Sequence, residues 1–246
     1  MFRPIYEPRT RAKEYSDLAV NIYNGCNHGC WYCYAKRMHD RYKPSEDFAD
    51  VKARDGIVEA TKNQLSGGKY KGKKIMLCFM CDPYPANIDT LVTREVIKLI
   101  KEAGSHVRIL TKGGDRARRD FDLLDCNDSF GITLSCLSSK EEPDAATPNE
   151  RINSLKDANL LGIKTWVSFE PVIDPTGVLK LIEHIPEMVN KDTFLKIGKL
   201  NHEKNDTDWK WFGTEAERIC KEKGWKYYIK EDLRKEMEGQ NGKHSK

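Results

Sequence analysis

Asn24-Gly25-Cys26-Asn27-His28-Gly29-Cys30-Trp31-Tyr32-Cys33-Tyr34 sets three cysteines at the spacing C-x3-C-x2-C. Three thiolates on so short a loop can face one metal centre. Gly25 and Gly29 give the backbone freedom to wrap around it. A structural zinc takes a fourth ligand. His28 can supply one, although it lies between two of the cysteines, where the reach is awkward. An iron–sulfur cluster of the 4Fe-4S type ordinarily takes four cysteines. Held by three, it keeps one iron open to a small molecule.

Outward from this loop the chain alternates strand-like and helix-like segments. Short β-rich runs start near Leu18 (LAVNIY), Ile75 (IMLCFM), His106 (HVRILT), Phe130 (FGITLS), Lys164 (KTWVSF), Thr193 (TFLKIG) and Trp225 (WKYYI). Between them, apolar residues at 88, 92, 96, 99, 100 and 103 predict a helix ended by Gly104. Thr147-Pro148-Asn149-Glu150 predicts a second helix start, with a capping threonine, proline at the first position and a capping-box acid. Strands recurring every ~30 residues have the length of βα units. The exception is the first gap, which holds the three cysteines.

Alternation of this kind gives a parallel sheet, either a barrel or a doubly wound sheet. Six or seven strands are too few to close an eight-stranded barrel and fit an open, partial one. Its active site belongs at the C-terminal strand ends. Polar or reactive residues stand at each of those ends: the cysteine loop, Cys81-Asp82-Pro83-Tyr84, Thr111-Lys112-Gly113-Gly114, Ser135-Cys136, Glu170-Pro171 and Lys199-Leu200-Asn201.

Composition narrows the setting. The chain has 246 residues, 39% of them hydrophobic, enough for a core and too many for a disordered chain. Its net charge of +4 permits a nucleic-acid partner without arguing for one. No apolar run approaches the ~20 residues of a membrane span. The basic, aromatic N-terminus lacks the apolar stretch of a signal peptide. Eight cysteines are far below a disulfide scaffold. These features point to the cytoplasm, where the cysteines would be thiols or metal ligands. Cys126, Cys136 and Cys220 lack mutual ligand spacing and read as structural.

An open iron can chelate the amino and carboxylate groups of S-adenosylmethionine and pass an electron to its sulfonium. The cysteine motif, with an aromatic residue (Tyr32) before its last member, resembles the radical S-adenosylmethionine superfamily. The wording GCNHGCWYCYA is similar to the spore photoproduct lyase group, which includes DNA repair photolyase-like proteins. The likeness continues through CDPYPANIDTLVTREVIKLI, ILTKGGDRARRDFDLL, ITLSC and PNERINSLKDANLLGIKTWVSFEPVI, in the same order. It covers roughly residues 18–200.

The resemblance implies a partial (β/α)6 TIM-like barrel, here with a short C-terminal βα extension. The expected divisions are a basic N-terminal arm (1–16), a core domain (17–205), the extension (206–238) and a frayed tail (239–246). By similarity Cys26, Cys30 and Cys33 hold a 4Fe-4S cluster. Tyr34 packs on S-adenosylmethionine, Asp82 lies beside it, Lys112 pairs with its carboxylate and Ser135 contacts its ribose. Glu170 either contacts substrate or cofactor or makes a buried structural hydrogen bond. For Lys112 a solvated loop cation, for Asp82 a turn former and for Ser135 a strand-end cap remain the alternatives.

The implied reaction begins with an electron from a ferredoxin or flavodoxin at about −400 mV. A 5′-deoxyadenosyl radical then abstracts a hydrogen atom from the substrate. In spore photoproduct lyases a cysteine three positions before the strand-two aspartate returns a hydrogen atom; here that position is Phe79, which argues against true spore photoproduct repair. Strand alternation sets Cys78 and Cys81 on opposite faces. With Phe79 and Cys81 inward, Cys81 becomes the candidate donor and Tyr84 a second one. The alternative is that both cysteines are core packing.

Basic residues interleave with aromatics along the arm (Arg3, Tyr6, Arg9, Arg11, Lys13, Tyr15) and at Lys36, Arg37, Arg41, Tyr42 and Lys43. Further basic sets are 69–74 and 116–119. Such patches can track phosphates and stack bases, or be solvated faces. A DNA, RNA or nucleotide substrate is the expectation. A small molecule or hypermodified base, and a non-catalytic iron–sulfur or zinc module, stay open.

Overall fold

The computed structural model of the chain describes residues 2–203 and 205–239. All of the expected tail except Gly239 lies outside them. Among the described residues ten strands form: β1 (Ile5–Tyr6), β2 (Ala19–Val20), β3 (Tyr23–Asn24), β4 (Lys52–Ala53), β5 (Lys74–Leu77), β6 (His106–Thr111), β7 (Ser129–Thr133), β8 (Lys164–Phe169), β9 (Phe194–Ile197) and β10 (Tyr227–Ile229). Seven α-helices accompany them: α1 (Tyr34–Tyr42), α2 (Ile57–Leu65), α3 (Leu91–Glu102), α4 (Pro148–Leu160), α5 (Pro175–Met188), α6 (Trp209–Lys223) and α7 (Glu231–Met237).

The main sheet runs β1-β2-β5-β6-β7-β8-β9-β10. The seven strands expected from the sequence are its seven parallel members. β1 is an antiparallel addition on β2, and β3 pairs with β4 apart from the sheet. This is a mixed α/β sheet of the kind found in a partial TIM-like barrel. β1 and β10 are its unpaired edges, so no hydrogen-bond ladder closes it.

Period-2 alternation assigns the two faces. Ile75, Leu77, Val107, Ile109, Phe130, Ile132, Val167, Leu195 and Ile197 join helix residues such as Val96, Ile100, Leu155 and Ile182 in the main core. Met76 and Trp166 pack on the other face with Ala19, Tyr15 and, less buried, Leu110 and Phe79. The α4 start forms as expected: Thr147 Oγ1 accepts from Glu150 N at 3.3 Å and the Glu150 carboxylate accepts from Thr147 N at 2.6 Å. Gly104 and Gly162 follow α3 and α4 at φ +69° and +76°.

Between the sheet edges lies the arm. A 3-10 turn over Thr10–Glu14 delivers Tyr15 into the concave face. The Tyr15 hydroxyl meets Ser168 Oγ at 2.9 Å and donates to Glu170 Oε2 at 2.5 Å. Glu14 accepts from the Tyr228 hydroxyl at 3.0 Å and from Glu231 N at 3.1 Å. Side chains thus bridge a gap that the backbone leaves open. The arm's aromatic Tyr15 is spent in the fold, and Arg11 lies 3.6 Å from Asp232.

Gly131 lies opposite Trp166 in the register, and a Cβ there would run into the indole. Gly131→Ala therefore overpacks the concave layer. The expected loss is about 1–3 kcal/mol, read as a lowered midpoint in urea unfolding with an unchanged slope.

Candidate functional site at the C-terminal strand ends

The cysteine loop sits where β3 hands over to α1. Gly25 takes φ +81°, and a Cβ there would come within 2.5 Å of the Phe48 carbonyl oxygen, which instead accepts from Cys26 N at 2.8 Å. Gly29 takes φ +68° against Pro143. Asn27 clamps the loop to the next strand end: its carboxamide donates to Ala86 O at 2.6 Å and accepts from Ala86 N at 2.9 Å. Cys33 is the N-cap of α1, its Sγ accepting from Lys36 N at 3.5 Å. A helix N-terminus favours negative charge there.

All three cysteines are half-buried free thiols. Burial pushes the Cys26 and Cys30 thiols up; Asp82 adds to the effect at Cys26, and the Lys112 ammonium opposes it at Cys30. Among the described residues, no group of three His, Cys, Asp or Glu that includes these cysteines brings its ligand atoms within 4.8 Å of one another. His28 is buried and engaged on both ring nitrogens, with Arg116 3.0 Å from Nε2 and Asp82 3.6 Å from Nδ1. The geometry leaves it no free face toward the cysteines.

Asp82 ties the rim together. Its Oδ1 accepts from Tyr84 N at 2.8 Å and Thr111 Oγ1 at 2.6 Å, and its Oδ2 from Lys112 N at 2.9 Å. It is 8% exposed and acts as a bridge from the β5 end to the β6 end. This is the turn-forming arrangement, extended across two strands.

Lys112 belongs to a second buried cluster. Its Nζ lies 3.9 Å from Glu142 Oε1 and 5.5 Å from the Tyr32 ring centre. Glu142 also pairs with Arg151 at 2.5 Å and accepts from the Tyr32 hydroxyl. That hydroxyl meets Ser135 Oγ at 3.1 Å. Burial works against the Glu142 charge, but Lys112 and Arg151 outweigh it and hold the carboxyl below its usual range. The Lys112 ammonium is held above its usual range: burial opposes its charge, and Cys30 and Glu142 overcome that. Lys112 is therefore a half-buried, charged group beside Cys30, where the sequence also allowed a solvated one.

The other expected residues divide. Tyr34 is 42% exposed, at the start of α1, and its hydroxyl donates to Phe79 O. Glu170 receives Tyr15 and Lys230, the latter at 2.6 Å, with Asn201 3.4 Å from its other oxygen. Tyr84 is fully buried, its hydroxyl unpaired and turned toward Asp120, which pairs with Arg94. That places it between the sheet and the outer helices. The expected opposition of Cys78 and Cys81 is overturned. β5 ends at Leu77 and Cys78 takes φ +61°, so strand alternation has stopped, and the two thiols are neighbours. Cys78 is buried; Cys81 is half-buried within the field of Tyr34.

Glu142, Arg151 and the anchoring of His28 by Arg116 were not legible as site features. Arg151 had a trace: it shares the buried face of α4 with Leu155 and Ala158, so an arginine stands at a core position.

A sequence model described as "Protein of unknown function (DUF5131)" matches residues 10–241. An uncharacterized protein of Acidianus two-tailed virus is 28% identical over 197 residues, 73% of this chain and 64% of that one. An uncharacterized protein of Methanocaldococcus jannaschii is 30% identical over 161 residues, 63% of this chain and 60% of its own. The chain thus spans less than two thirds of these relatives. A spore photoproduct lyase variant superposes with TM-score 0.69 at 12% identity, covering 91% of this chain and 79% of that one. SuiB of Streptococcus suis bound to S-adenosylmethionine gives 0.63 at 13% identity, covering 86% and 49%. These likenesses establish a shared fold.

Glu142→Gln leaves Arg151 buried without a counter-charge. Stability at pH 7 should fall by about 3–5 kcal/mol. Because the folded carboxyl titrates below its unfolded value near ~4.3, its contribution is present above that pH and lost as pH falls through the folded value. The variant should therefore show a shallower acid limb below about pH 4 in urea unfolding across pH.

Proposed function

This chain belongs to the DUF5131 family, whose description leaves activity open, and we propose that it is a radical S-adenosylmethionine enzyme acting on a nucleic acid or nucleotide. The observation that carries this reading is the joining of Cys30, Tyr32, Lys112 and Ser135 at the C-terminal strand ends of a partial barrel. The fold likeness to spore photoproduct lyase supports it, one variant of which is described with bound AdoMet and dinucleoside spore photoproduct.

The donor set fits a 4Fe-4S cluster better than zinc. His28, the zinc alternative's fourth ligand, is held away by Arg116 and Asp82. In this reading Cys26, Cys30 and Cys33 hold the cluster. When bound, cluster and S-adenosylmethionine together supply the electron and the deoxyadenosyl radical that abstracts a substrate hydrogen.

The chain's own groups prepare that chemistry. The α1 N-terminus and the Lys112 ammonium offset negative charge on the thiolates. Lys112 presents a cation, and Ser135 and the Tyr32 hydroxyl present hydrogen-bonding groups, to a zwitterionic amino acid and its ribose. Tyr34 offers its half-exposed ring as a packing surface. Asp82 acts on the cofactor site by positioning Lys112 and His28. Glu170, committed to Tyr15 and Lys230, braces the arm. Cys81, half-buried near Tyr34, is the hydrogen-atom donor. Trp31 and Tyr34 stand exposed at the start of α1, and Tyr42 beside Arg41 at its far end, aromatic surfaces suited to stacking bases. The electron donor is a ferredoxin or flavodoxin.

Anoxically purified protein should be brown, with about four irons and four sulfides per chain, and with dithionite should form 5′-deoxyadenosine. Alanine at any of Cys26, Cys30 or Cys33 should abolish both while far-ultraviolet circular dichroism is unchanged. Colourless protein after reconstitution, or cleavage that survives these changes, overturns the assignment.

A further inference from the structure

The register of the sheet gathers basic residues on its concave face, away from the cysteine loop. Met76 pairs with Arg108, Arg108 with Ser129 and Ser129 with Lys164. Paired residues share a face, as do residues two apart along a strand. Lys74 therefore joins Met76, and Lys164 joins Trp166 and Ser168. Ser168 pairs with Lys196. Lys74, Arg108, Lys164 and Lys196, drawn from four strands, all face the concavity.

Their exposure is graded. Lys164 is exposed, Lys74 and Arg108 are half-buried, and Lys196 is 6% exposed. Lys74 and Lys164 stand at the N-terminal mouth of the sheet, with Lys196 furthest along the strands. Among the described residues none of the four forms an ion pair with a carboxylate. Arg108 donates to Tyr15 O and lies 3.4 Å from Ser129 Oγ. Lys196 donates to the Glu14 carbonyl and sits 4.4 Å above the Tyr15 ring. The acids that reach them are few. Asp17 acts on Arg108, and Asp128, which already holds Lys101, acts on Lys74. Glu14 and Glu170 act on Lys196 while each also faces Lys230.

The cations repel one another. Burial, then Arg108 and Lys164, lower the Lys74 ammonium; burial, then Arg108 and Lys230, bring Lys196 down to about 8. A fold that needed only packing here would place apolar residues, as it does at Met76 and Leu110 on the same face. An anion relieves the repulsion and satisfies the free donors.

We propose that this concave mouth, framed by Lys74, Arg108 and Lys164, binds a phosphate group. Its ligand is inorganic phosphate, a nucleotide or a nucleic-acid backbone. The site stands independently of the reading of the cysteine loop, and its test needs neither cluster nor S-adenosylmethionine.

Thermal unfolding and isothermal titration of the full chain, at constant ionic strength, would use inorganic phosphate, deoxythymidine monophosphate and a ten-nucleotide single-stranded DNA against a chloride reference. Phosphate should raise the midpoint where chloride does not. Whichever of the three binds at least ten-fold more tightly than the others names the source. Arg108→Gln should weaken binding about ten-fold. Because Arg108 also contacts the arm, the milder pair Lys74→Gln with Lys164→Gln is the second variant. It should fold normally, keep or raise the midpoint in chloride, and lose most of the phosphate effect. Equal response to phosphate and chloride, or unchanged binding in the folded double variant, overturns the site.

Discussion

The Asp82 carboxylate makes four approaches within the rim, to Tyr84 N, Thr111 Oγ1, Lys112 N and the His28 ring. These partners serve three requirements. Tyr84 N sets the turn after β5, Thr111 and Lys112 set the end of β6, and His28 sets the cysteine loop. One side chain with four acceptor directions can do this because a carboxylate accepts from several donors at once. Burial makes the bonds consequential, since an unsatisfied group there would cost the full desolvation penalty. Lys112 can stand beside Cys30 only because its own backbone is held from this point.

The rest of the rim is built around two carboxylates that each reach a partner at least thirty positions away. Glu142 lies between Lys112 and Arg151, and Glu170 between Tyr15 and Lys230. The first cluster serves the cysteine loop through Tyr32. The second serves the arm, and through it the open side of the sheet. A sheet with unpaired edges exposes backbone groups that invite association. Here the 3-10 turn and Tyr15 cover that side with side-chain contacts, and the sheet can remain a partial barrel. The concave face then carries two chemistries, cations at the strand starts and the cysteine loop beyond the strand ends, with Tyr15 and Trp166 between.

What was legible in the sequence rested on local physics. The seven parallel strands follow from β-branched and aromatic runs at βα spacing. The α4 boundary follows from Thr147, Pro148 and Glu150, whose capping box forms within four residues. The C-x3-C-x2-C loop, its glycines and the polar character of each strand end needed nothing beyond neighbouring positions. Cys78 shows where local reasoning stopped. Alternation holds only while the strand lasts, and β5 ends at Leu77, before either Cys78 or Cys81 is reached.

By itself, then, the sequence determined the parallel α/β alternation, the α4 cap and three cysteines on one short loop, because each is set by residues within a turn or strand of one another. Only the tertiary structure decided that Glu142 and Arg151 stand behind Lys112, that His28 is turned from the cysteines, that side chains of the arm bridge the open side of the sheet and that four cations share one face. Those depend on register and on contacts between residues tens of positions apart or more. No local preference encodes them; packing the sheet and burying the charges together does.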